Sequence, residues 1–263
     1  THGLSKNIVR SLYMDKSGII WVGTNGGGIN KYDPKRKMFR HIKKGLNKKS
    51  LSYDKIRAMY EDDNGTLWIG TEGGGLNMLT KTNDNGNYDQ FEIFPKIQKP
   101  FAITQFNING RKKLFVGAED TLGLYEVDIT ARNNVRADDF KEVKGIGRSV
   151  FSLLADTQHN LWIGTYGEGV HKWTPNSTDK DSFTKRHFKN DALKNNSISN
   201  NIIRSIYEDH QHNIWFATGN GLSMMPSSEM HKENPKFKVF YNNPNDQNSL
   251  PHNYILSLFE DSQ

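Results

Sequence analysis

Nine histidines are the residues with which this 263-residue chain could bind a metal ion. The densest group is His210-Gln211-His212, with His159 in a turn of matching sequence. A zinc site needs three or four ligands in fixed geometry, and no further ligand is spaced to complete this group. The chain has no cysteine, which excludes disulfides, thiolate metal sites and a cysteine nucleophile. We therefore predict no metal site and no cofactor.

The carboxylates and the glycine runs do not form a recognisable catalytic set. Glu61-Asp62-Asp63 precedes Asn64-Gly65, where an aspartate is expected to cap a turn. General acid–base catalysis requires a positioned pair in a cleft, and no such pair is singled out. Gly26-Gly27-Gly28 and Gly73-Gly74-Gly75 precede strands, so no helix N-terminus is available for a phosphate. We predict no catalytic residue in this segment.

The net charge of +6 is a mild excess of 35 basic over 29 acidic residues. The densest basic run is Lys43, Lys44, Lys48 and Lys49, and it lacks the interleaved aromatic residues that single-strand binders use. We interpret it as a solvated loop and predict no direct contact of this segment with nucleic acid.

Three arginines are better candidates for binding a ligand. Guanidinium donors near polar and aromatic side chains suit a hydroxyl-rich or anionic ligand. The candidate binding residues are Arg10, Arg57, Arg204, Asn25, Glu72, Tyr166 and Glu168. They form a site only if the fold brings distant segments to one face. The competing interpretation is that each arginine pairs with an acidic residue of the neighbouring repeat.

An internal repeat provides that fold. Ser11-Leu12-Tyr13-Met14-Asp15 followed by Ile20-Trp21-Val22-Gly23-Thr24 recurs three more times, and a weaker copy has Phe115 in place of the tryptophan. The interval between the aromatic residues is 47 for the first three steps and 53 for the last. A period in this range is typical of propeller blades. The aromatic repeat positions are Trp21, Trp68, Phe115, Trp162 and Trp215.

Each repeat predicts four short strands, because its apolar runs are short, β-branched or aromatic, and are interrupted by Gly and Asn. Asn64-Gly65 and Asn109-Gly110, with Ser17-Gly18 in the same place, predict type I′ turns after strand one. Strand two carries the tryptophan, and we expect the glycine beside it to let the next blade pack on the indole. The third strand is predicted to follow Gly28, Gly75, Gly123, Gly169 and Gly221, and the fourth to centre on Phe39, Phe91, Phe140, Phe183 and Phe237.

We therefore predict an all-β fold, a β-propeller of four-stranded antiparallel blades, with five blades and the first strand of a sixth. The blades are predicted at residues 4–50, 51–100, 101–147, 148–197 and 198–249, with a partial blade at 250–263. Residues 1–263 would form a single incomplete propeller, part of a seven-bladed one. Antiparallel pairing places the start of strand one beside the end of strand two. The candidate binding residues should therefore share one face.

The repeated Asp and Leu-Trp-Ile-Gly-Thr phrase, with its leading Leu4-Ser5, Leu51-Ser52 and Ile198-Ser199, resembles the two-component regulator propeller repeat. The resemblance covers residues 4 to 261 and implies the periplasmic sensor region of a hybrid two-component system of the Bacteroides type. It implies a sensor of glycan fragments with no enzymatic activity of its own, joined to further blades, membrane and histidine kinase parts in one polypeptide. Dimeric signalling is implied by the resemblance alone.

Two other functions remain open from the sequence. A propeller lyase or hydrolase resembling the streptogramin (virginiamycin) lyases would need one irregular blade with a histidine and a glutamate facing the channel. The irregular third repeat, residues 101 to 147, has no histidine, which favours the sensor. A protein-interaction scaffold would need a large exposed apolar patch.

Overall fold

The structure is a computed structural model that describes residues 3–81, 89–119, 123–131, 135–176 and 182–261. Within these residues every four successive strands pair in one antiparallel sheet, which confirms the predicted all-β blades. Short 3-10 helices lie at Ala137–Asp139 and Ser227–Glu229. The strands of blades one to five, in order, are β1 Val9–Met14, β2 Ile20–Thr24, β3 Ile29–Asp33 and β4 Met38–Ile42; β5 Ile56–Glu61, β6 Leu67–Thr71, β7 Gly75–Lys81 and β8 Gln90–Phe94; β9 Pro100–Ile108, β10 Arg111–Ala118, β11 Leu124–Asp128 and β12 Lys141–Glu142; β13 Val150–Ala155, β14 Leu161–Thr165, β15 Val170–Pro175 and β16 Phe183–Phe188; β17 Ile203–Glu208, β18 Ile214–Thr218, β19 Leu222–Met225 and β20 Lys238–Phe240.

The aspartate of each repeat organises the turn after strand one. In blade two the Asp62 carboxylate accepts the backbone N–H groups of Asn64 and Thr66, each at 2.9 Å, and the indole N–H of Trp68 at 2.9 Å. The same indole contact recurs in three other blades, as Asp15 to Trp21, Asp156 to Trp162 and Asp209 to Trp215, each at 2.7 Å. The repeated aspartate is therefore a structural acceptor.

The geometry of this turn differs from the predicted type I′ turn. A type I′ turn needs positive φ at both central residues, but in Asn64-Gly65 only Gly65 is positive, at +78°. Gly65 N–H donates to the Asp62 carbonyl, so the turn runs over Asp63 and Asn64 and closes on a left-handed residue. Ser17-Gly18 deviates in the same way, with Gly18 at +84°. The aspartate side chain favours this turn because it satisfies the turn N–H groups.

Asn109-Gly110 has the predicted signs, with φ of 48° and 85°. His159 and His212 occupy the left-handed place of Gly65 in blades four and five, with φ of 66° and 62°. Left-handed φ is uncommon for a residue with a side chain, although histidine is among the types enriched there. These two histidines therefore shape turns.

The described chain forms two compact units. The first contains blades one, two and most of three, and the second contains blades four and five. In the first unit Trp21, Ile29, Ile56 and Ile69 belong to one buried cluster that joins blades one and two. Trp68 packs edge-on against Phe140 with ring centroids 6.3 Å apart, which joins blades two and three.

The second unit repeats this packing between blades four and five. Trp162 of blade four meets Phe216 of blade five edge-on, with ring centroids 5.5 Å apart. Ile203 and Phe237 belong to the same buried cluster. Aromatic contacts of this kind add to the free energy from burial alone, by about 0.5–1.5 kcal/mol per pair.

The glycine of Trp-x-Gly-Thr lies where the next blade approaches. A Cβ on Gly23 would lie 2.6 Å from Ile56 Cγ2, and one on Gly164 would lie 2.7 Å from Ile203 Cγ2. Both distances are too short for carbon atoms in contact. The prediction that this glycine admits the neighbouring blade is therefore confirmed.

Trp21, Trp68 and Trp162 are buried as predicted, with at most 3% of each exposed. Trp215 is only partly buried. The segment that follows blade five contacts the second strand of that blade, because the Ile255 N–H donates to the Thr218 carbonyl at 3.1 Å. Residues 250–261 form no strand, although the first strand of a sixth blade was predicted there. Phe140 and Phe237 lie just before their fourth strands, at the positions preceding Lys141 and Lys238.

Among the described residues no helix is long and apolar enough to cross a membrane.

Candidate functional site

In each blade with a complete repeat, the loop after strand two lies beside the start of strand one. The backbone N–H of Asn25 donates to the Ile8 carbonyl, that of Glu72 to Lys55, and that of Tyr166 to Ser149, each at 2.9 Å. The predicted proximity of these loops to the first residues of strand one is thus present within blades one, two and four.

The candidate arginines occupy β-bulges. In strands β1, β5, β13 and β17 the pairing with the second strand shifts between the first and third residues. The extra residues at these shifts are Arg10, Arg57, Phe151 and Arg204. A bulge turns its side chain out of the regular alternation of the strand. The chain therefore presents this one side chain of each first strand differently from its neighbours.

Arg57 is held on two sides. Its Nη2 donates to the Glu72 carboxylate in the same blade, and Lys55 Nζ lies 4.0 Å from the other carboxylate oxygen. The guanidinium lies 5.0 Å above the ring of Phe101, which belongs to blade three. The acidic partner is in the same blade, whereas the ion-pair interpretation expected it in the next. A charged pair combined with ring stacking fixes the side chain in one orientation.

Arg204 makes the corresponding contact in the second unit. Its guanidinium lies 4.9 Å above the ring of Phe151 in blade four. Phe151 also contacts Tyr166, with ring centroids 5.1 Å apart and the planes tilted by 54°. The Tyr166 side chain is 49% exposed. Arg204, Phe151 and Tyr166 thus form a continuous cation–aromatic surface, which we call the blade-four shelf.

Glu168 lies in the loop after Tyr166 and is engaged by Lys189. The hydrogen bond and charge of the Lys189 ammonium hold the pKa of the Glu168 carboxyl below its ordinary value. Arg10 in blade one is exposed, and Asn25 is partly buried beside Lys55. The structure thus brings Arg57 to Glu72 in one unit and Arg204 to the Tyr166 loop in the other.

Phe101 and Phe151 are site residues that the sequence reasoning missed. A Cβ on Gly70 would meet Pro100, as one on Gly23 would meet Ile56, so Pro100 occupies the place of Ile56. Phe101 therefore follows Pro100 as Arg57 follows Ile56. Aligning the repeats at this single position would have revealed arginine in blades one, two and five and phenylalanine in blades three and four.

The candidate residues have the chemistry to bind a ligand non-covalently. Guanidinium N–H groups can donate in pairs to carboxylate, sulfate or hydroxyl oxygens, and an exposed tyrosine ring can stack on the apolar face of a sugar. Among the described residues no group of three or more His, Asp or Glu side chains could hold a metal ion. His210 lies beside Glu260, and the hydrogen bond between them raises the pKa of the His210 imidazole.

Two hollows lie apart from the candidate residues. One of about 380 Å³ is lined by Asp62, Trp68, Glu92 and Val135 among others. An open groove of about 1050 Å³ lies between the fourth strand of blade four and blade five, with Arg186, Phe188 and Lys236 in its wall. Neither is lined by the predicted binding residues.

Comparison with known proteins identifies the repeat. Four segments, residues 3–26, 50–73, 144–167 and 197–220, match the family described as two component regulator propeller. A curated relative, Histidine kinase P4 of Formosa agariphila, is 27% identical over 240 residues, which are 90% of this chain but 14% of that protein.

Solved structures share the fold. The extracellular domain assigned to a hybrid two component system of B. thetaiotaomicron superposes with a TM-score of 0.68 at 23% identity, over 100% of this chain and 31% of that one. A second extracellular domain from the same organism gives 0.61 at 17% identity, over 98% and 38%. PorZ, a type IX secretion component of Porphyromonas gingivalis, gives 0.57 at 16%, over 88% and 34%. The chain spans about a third of each of these.

Proposed function

From the premise that this chain is built from two-component regulator propeller repeats, we propose that it is a ligand-sensing segment of a hybrid two-component receptor. The observation that carries the proposal is the blade-four shelf, where the Arg204 guanidinium lies over the Phe151 ring and Phe151 contacts the exposed Tyr166. A rigid aromatic surface next to guanidinium donors suits a hydroxyl-rich or anionic oligosaccharide. We propose a glycan fragment as the ligand class.

The rest of the receptor is part of the same proposal. The names of the curated relative and of two structural neighbours support an extracytoplasmic, periplasmic location and a histidine kinase elsewhere in the polypeptide. The segment itself would bind ligand without turnover, and the receptor would signal as a homodimer.

Exposed apolar residues of blade one support contact with further blades. Val9 is 44% exposed and Leu12 is 69% exposed, whereas Ile56 and Ile203, at the place of Val9, are fully buried by neighbouring blades. The place of Val9 is buried in blades two, four and five, so its exposure in blade one indicates a surface that another element covers. We propose that another blade of the same polypeptide covers it.

Calorimetric titration with a panel of neutral, carboxylated and sulfated oligosaccharides tests the ligand proposal. Arg204→Ala and Tyr166→Ala should each weaken binding, with a loss of about 1.5–3 kcal/mol for a charged hydrogen bond to Arg204. Arg186→Ala is the matched control, because that guanidinium also lies over a ring, Phe188 at 5.0 Å, but on the fourth strand. Affinity should be unchanged in the control.

Two results would contradict the proposal. Unchanged affinity in Arg204→Ala and Tyr166→Ala, together with a lowered melting temperature, would make the shelf a purely structural contact between blades. Reproducible product formation from a glycan or a cyclic depsipeptide would favour the lyase or hydrolase function instead.

A further inference from the structure

A short clamp recurs in three blades between the third strand and the segment that leads into the first. The backbone N–H of Ser5 donates to Asn30 Oδ1 at 2.7 Å, and that of Ser52 donates to Asn77 Oδ1 at 3.0 Å. In blade five the Ser199 N–H donates to Ser223 Oγ at 2.9 Å. All three clamps are made by groups that stay neutral at any ordinary pH.

Blade four replaces this clamp at three contacting positions. His171 pairs with His187 across β15 and β16 as Asn30 pairs with His41 across β3 and β4, so His171 occupies the place of Asn30. Gly147 follows Ile146 as Ser5 follows Leu4 and Ser52 follows Leu51, but blade four is one residue shorter between this pair and its first strand. Glu168 lies between Gly167 and Gly169, where blade one has Gly27.

The three replacements compensate one another in space. A Cβ on Gly27 would lie 2.6 Å from Ser5 Oγ, so blade one has room for the serine only because residue 27 is glycine. In blade four the order is reversed, and a Cβ on Gly147 would lie 2.9 Å from Glu168 Cγ. The small and the large residue have thus changed places, and the His171 ring, where blade one has the Asn30 amide, faces the Ile146 carbonyl.

The His171 ring is enclosed but ionisable. His171 is 7% exposed, and its ring stacks on that of His187 with centroids 3.9 Å apart and an interplanar angle of 10°. Its Nε2 has no hydrogen-bond partner among the described residues. His187 Nε2 contacts the Glu168 carbonyl at 2.5 Å. The groups that face the His171 ring are His187, the Ile146 carbonyl, Lys189 and Glu168.

We infer that His171, stacked on His187, is a pH-sensitive clamp, which holds the segment around Ile146 and Gly147 against the third strand of blade four when its imidazole is neutral and releases the segment when that imidazole is protonated. The inference does not depend on the proposed ligand. It assigns blade four a response that the Ser–Asn clamps of blades one and two lack.

The direction of the response follows from burial. Desolvation, followed by the charge of His187, lowers the pKa of His171 from 6.5 to about 4, and the opposing effect of the Ile146 carbonyl is smaller. A base whose pKa falls on folding stabilises the folded clamp fully above the unfolded pKa of 6.5. That contribution is lost as the pH falls toward 4, and each pH unit in this window changes the opening equilibrium up to tenfold.

Hydrogen exchange measured by mass spectrometry on residues 144–150 tests the clamp. After correction for intrinsic exchange, the opening equilibrium constant of the wild-type protein should rise up to tenfold for each unit by which the pH is lowered from about 6.5 to 4. His171→Asn, which installs the residue of blades one and two, should remove most of this dependence. His41→Asn is the control, since His41 occupies the place of His187 in blade one opposite a neutral Asn30, and it should leave residues 144–150 unchanged.

NMR titration of the wild-type imidazoles keeps the test independent of how well the variant folds. The His171 ring signals should titrate near pH 4, with loss of contacts to Ile146 at the same midpoint. A His171 midpoint at or above 6.5 would overturn the clamp. So would an unchanged pH dependence of exchange in His171→Asn.

Discussion

Asp156→Ala should be one of the most destabilising single changes in blade four. The Asp156 carboxylate accepts the Trp162 indole N–H at 2.7 Å and the Asn160 backbone N–H at 2.7 Å. It also accepts the Asn160 side-chain amide at 2.8 Å. Asp156, Asn160 and Trp162 are each at most 7% exposed, so water cannot replace the lost acceptor.

The size of the effect follows from the donors left without a partner. A buried donor without an acceptor costs about 1–3 kcal/mol, and hydrogen bonds to a charged group contribute about 1.5–3 kcal/mol. With three buried donor groups left without an acceptor, we expect the free energy of unfolding to fall by about 3–5 kcal/mol.

Guanidinium chloride denaturation followed by far-UV circular dichroism measures this loss. The matched control is Asp246→Ala, because Asp246 also accepts a turn N–H, from Asn248 at 2.9 Å, but is exposed. It should cost no more than about 0.5 kcal/mol. A double-mutant cycle with Trp162→Phe should give a coupling of about 1.5–3 kcal/mol for the Asp156–indole bond. A loss under about 1 kcal/mol, or a coupling near zero, would refute the role of the aspartate as the central acceptor.

Three further outcomes are expected. Gly164→Ala should lower the free energy of unfolding by about 1–3 kcal/mol through overpacking, since its Cβ would lie 2.2 Å from Ser152 Oγ; a variant as stable as the wild type in a thermal melt would contradict this. Trp68→Ala should cost about 3–5 kcal/mol and Trp215→Ala clearly less, because Trp68 is 1% exposed and Trp215 is only partly buried; equal losses in denaturant titrations would contradict this dependence on burial. Burial raises the pKa of Asp209, but hydrogen bonds from the Trp215 indole and from Asn213 outweigh this effect, so the pKa in the folded state lies below 3.8. The ionised Asp209 carboxylate therefore stabilises the fold above pH 3.8, and this contribution is lost as the pH falls through the folded-state pKa. In an acid titration, Asp209→Asn should lose stability less steeply than the wild type.

The sequence predicts the blades because their packing residues repeat. A tryptophan needs an acceptor for its indole N–H, so it recurs with the aspartate six positions before it, as in Asp62 and Trp68. The next blade needs room beside the indole, so the glycine two positions later recurs as well. Each of these requirements is local to one blade and its neighbour, which is why spacing alone reveals them.

The same reasoning predicts the site only in part. Arg57 and Arg204 recur at one position, and the structure places each at a bulge beside its predicted loop or a neighbouring ring. The turn types were predicted less well, because a dipeptide such as Asn64-Gly65 does not reveal that the Asp62 side chain reaches forward to satisfy the turn. The stacking of Arg204 on Phe151 joins two blades 53 residues apart, a contact that no local pattern contains.

Positions that differ between blades therefore carry more information about function than positions that repeat. The repeated Thr71 donates to the Gly75 carbonyl and accepts the Gly74 N–H, and Thr24 makes the same two contacts in blade one, so packing accounts for it completely. The bulge position, in contrast, holds arginine in blades one, two and five and phenylalanine in blade four, although the same shift in strand pairing occurs in all four. Because the fold accommodates arginine or phenylalanine at this position, the residue type there can be selected for ligand binding rather than for packing. Exchanging Phe151 for arginine should thus leave the blade folded while changing which ligands the shelf accepts, and a variant that unfolds would show that the ring is needed for packing.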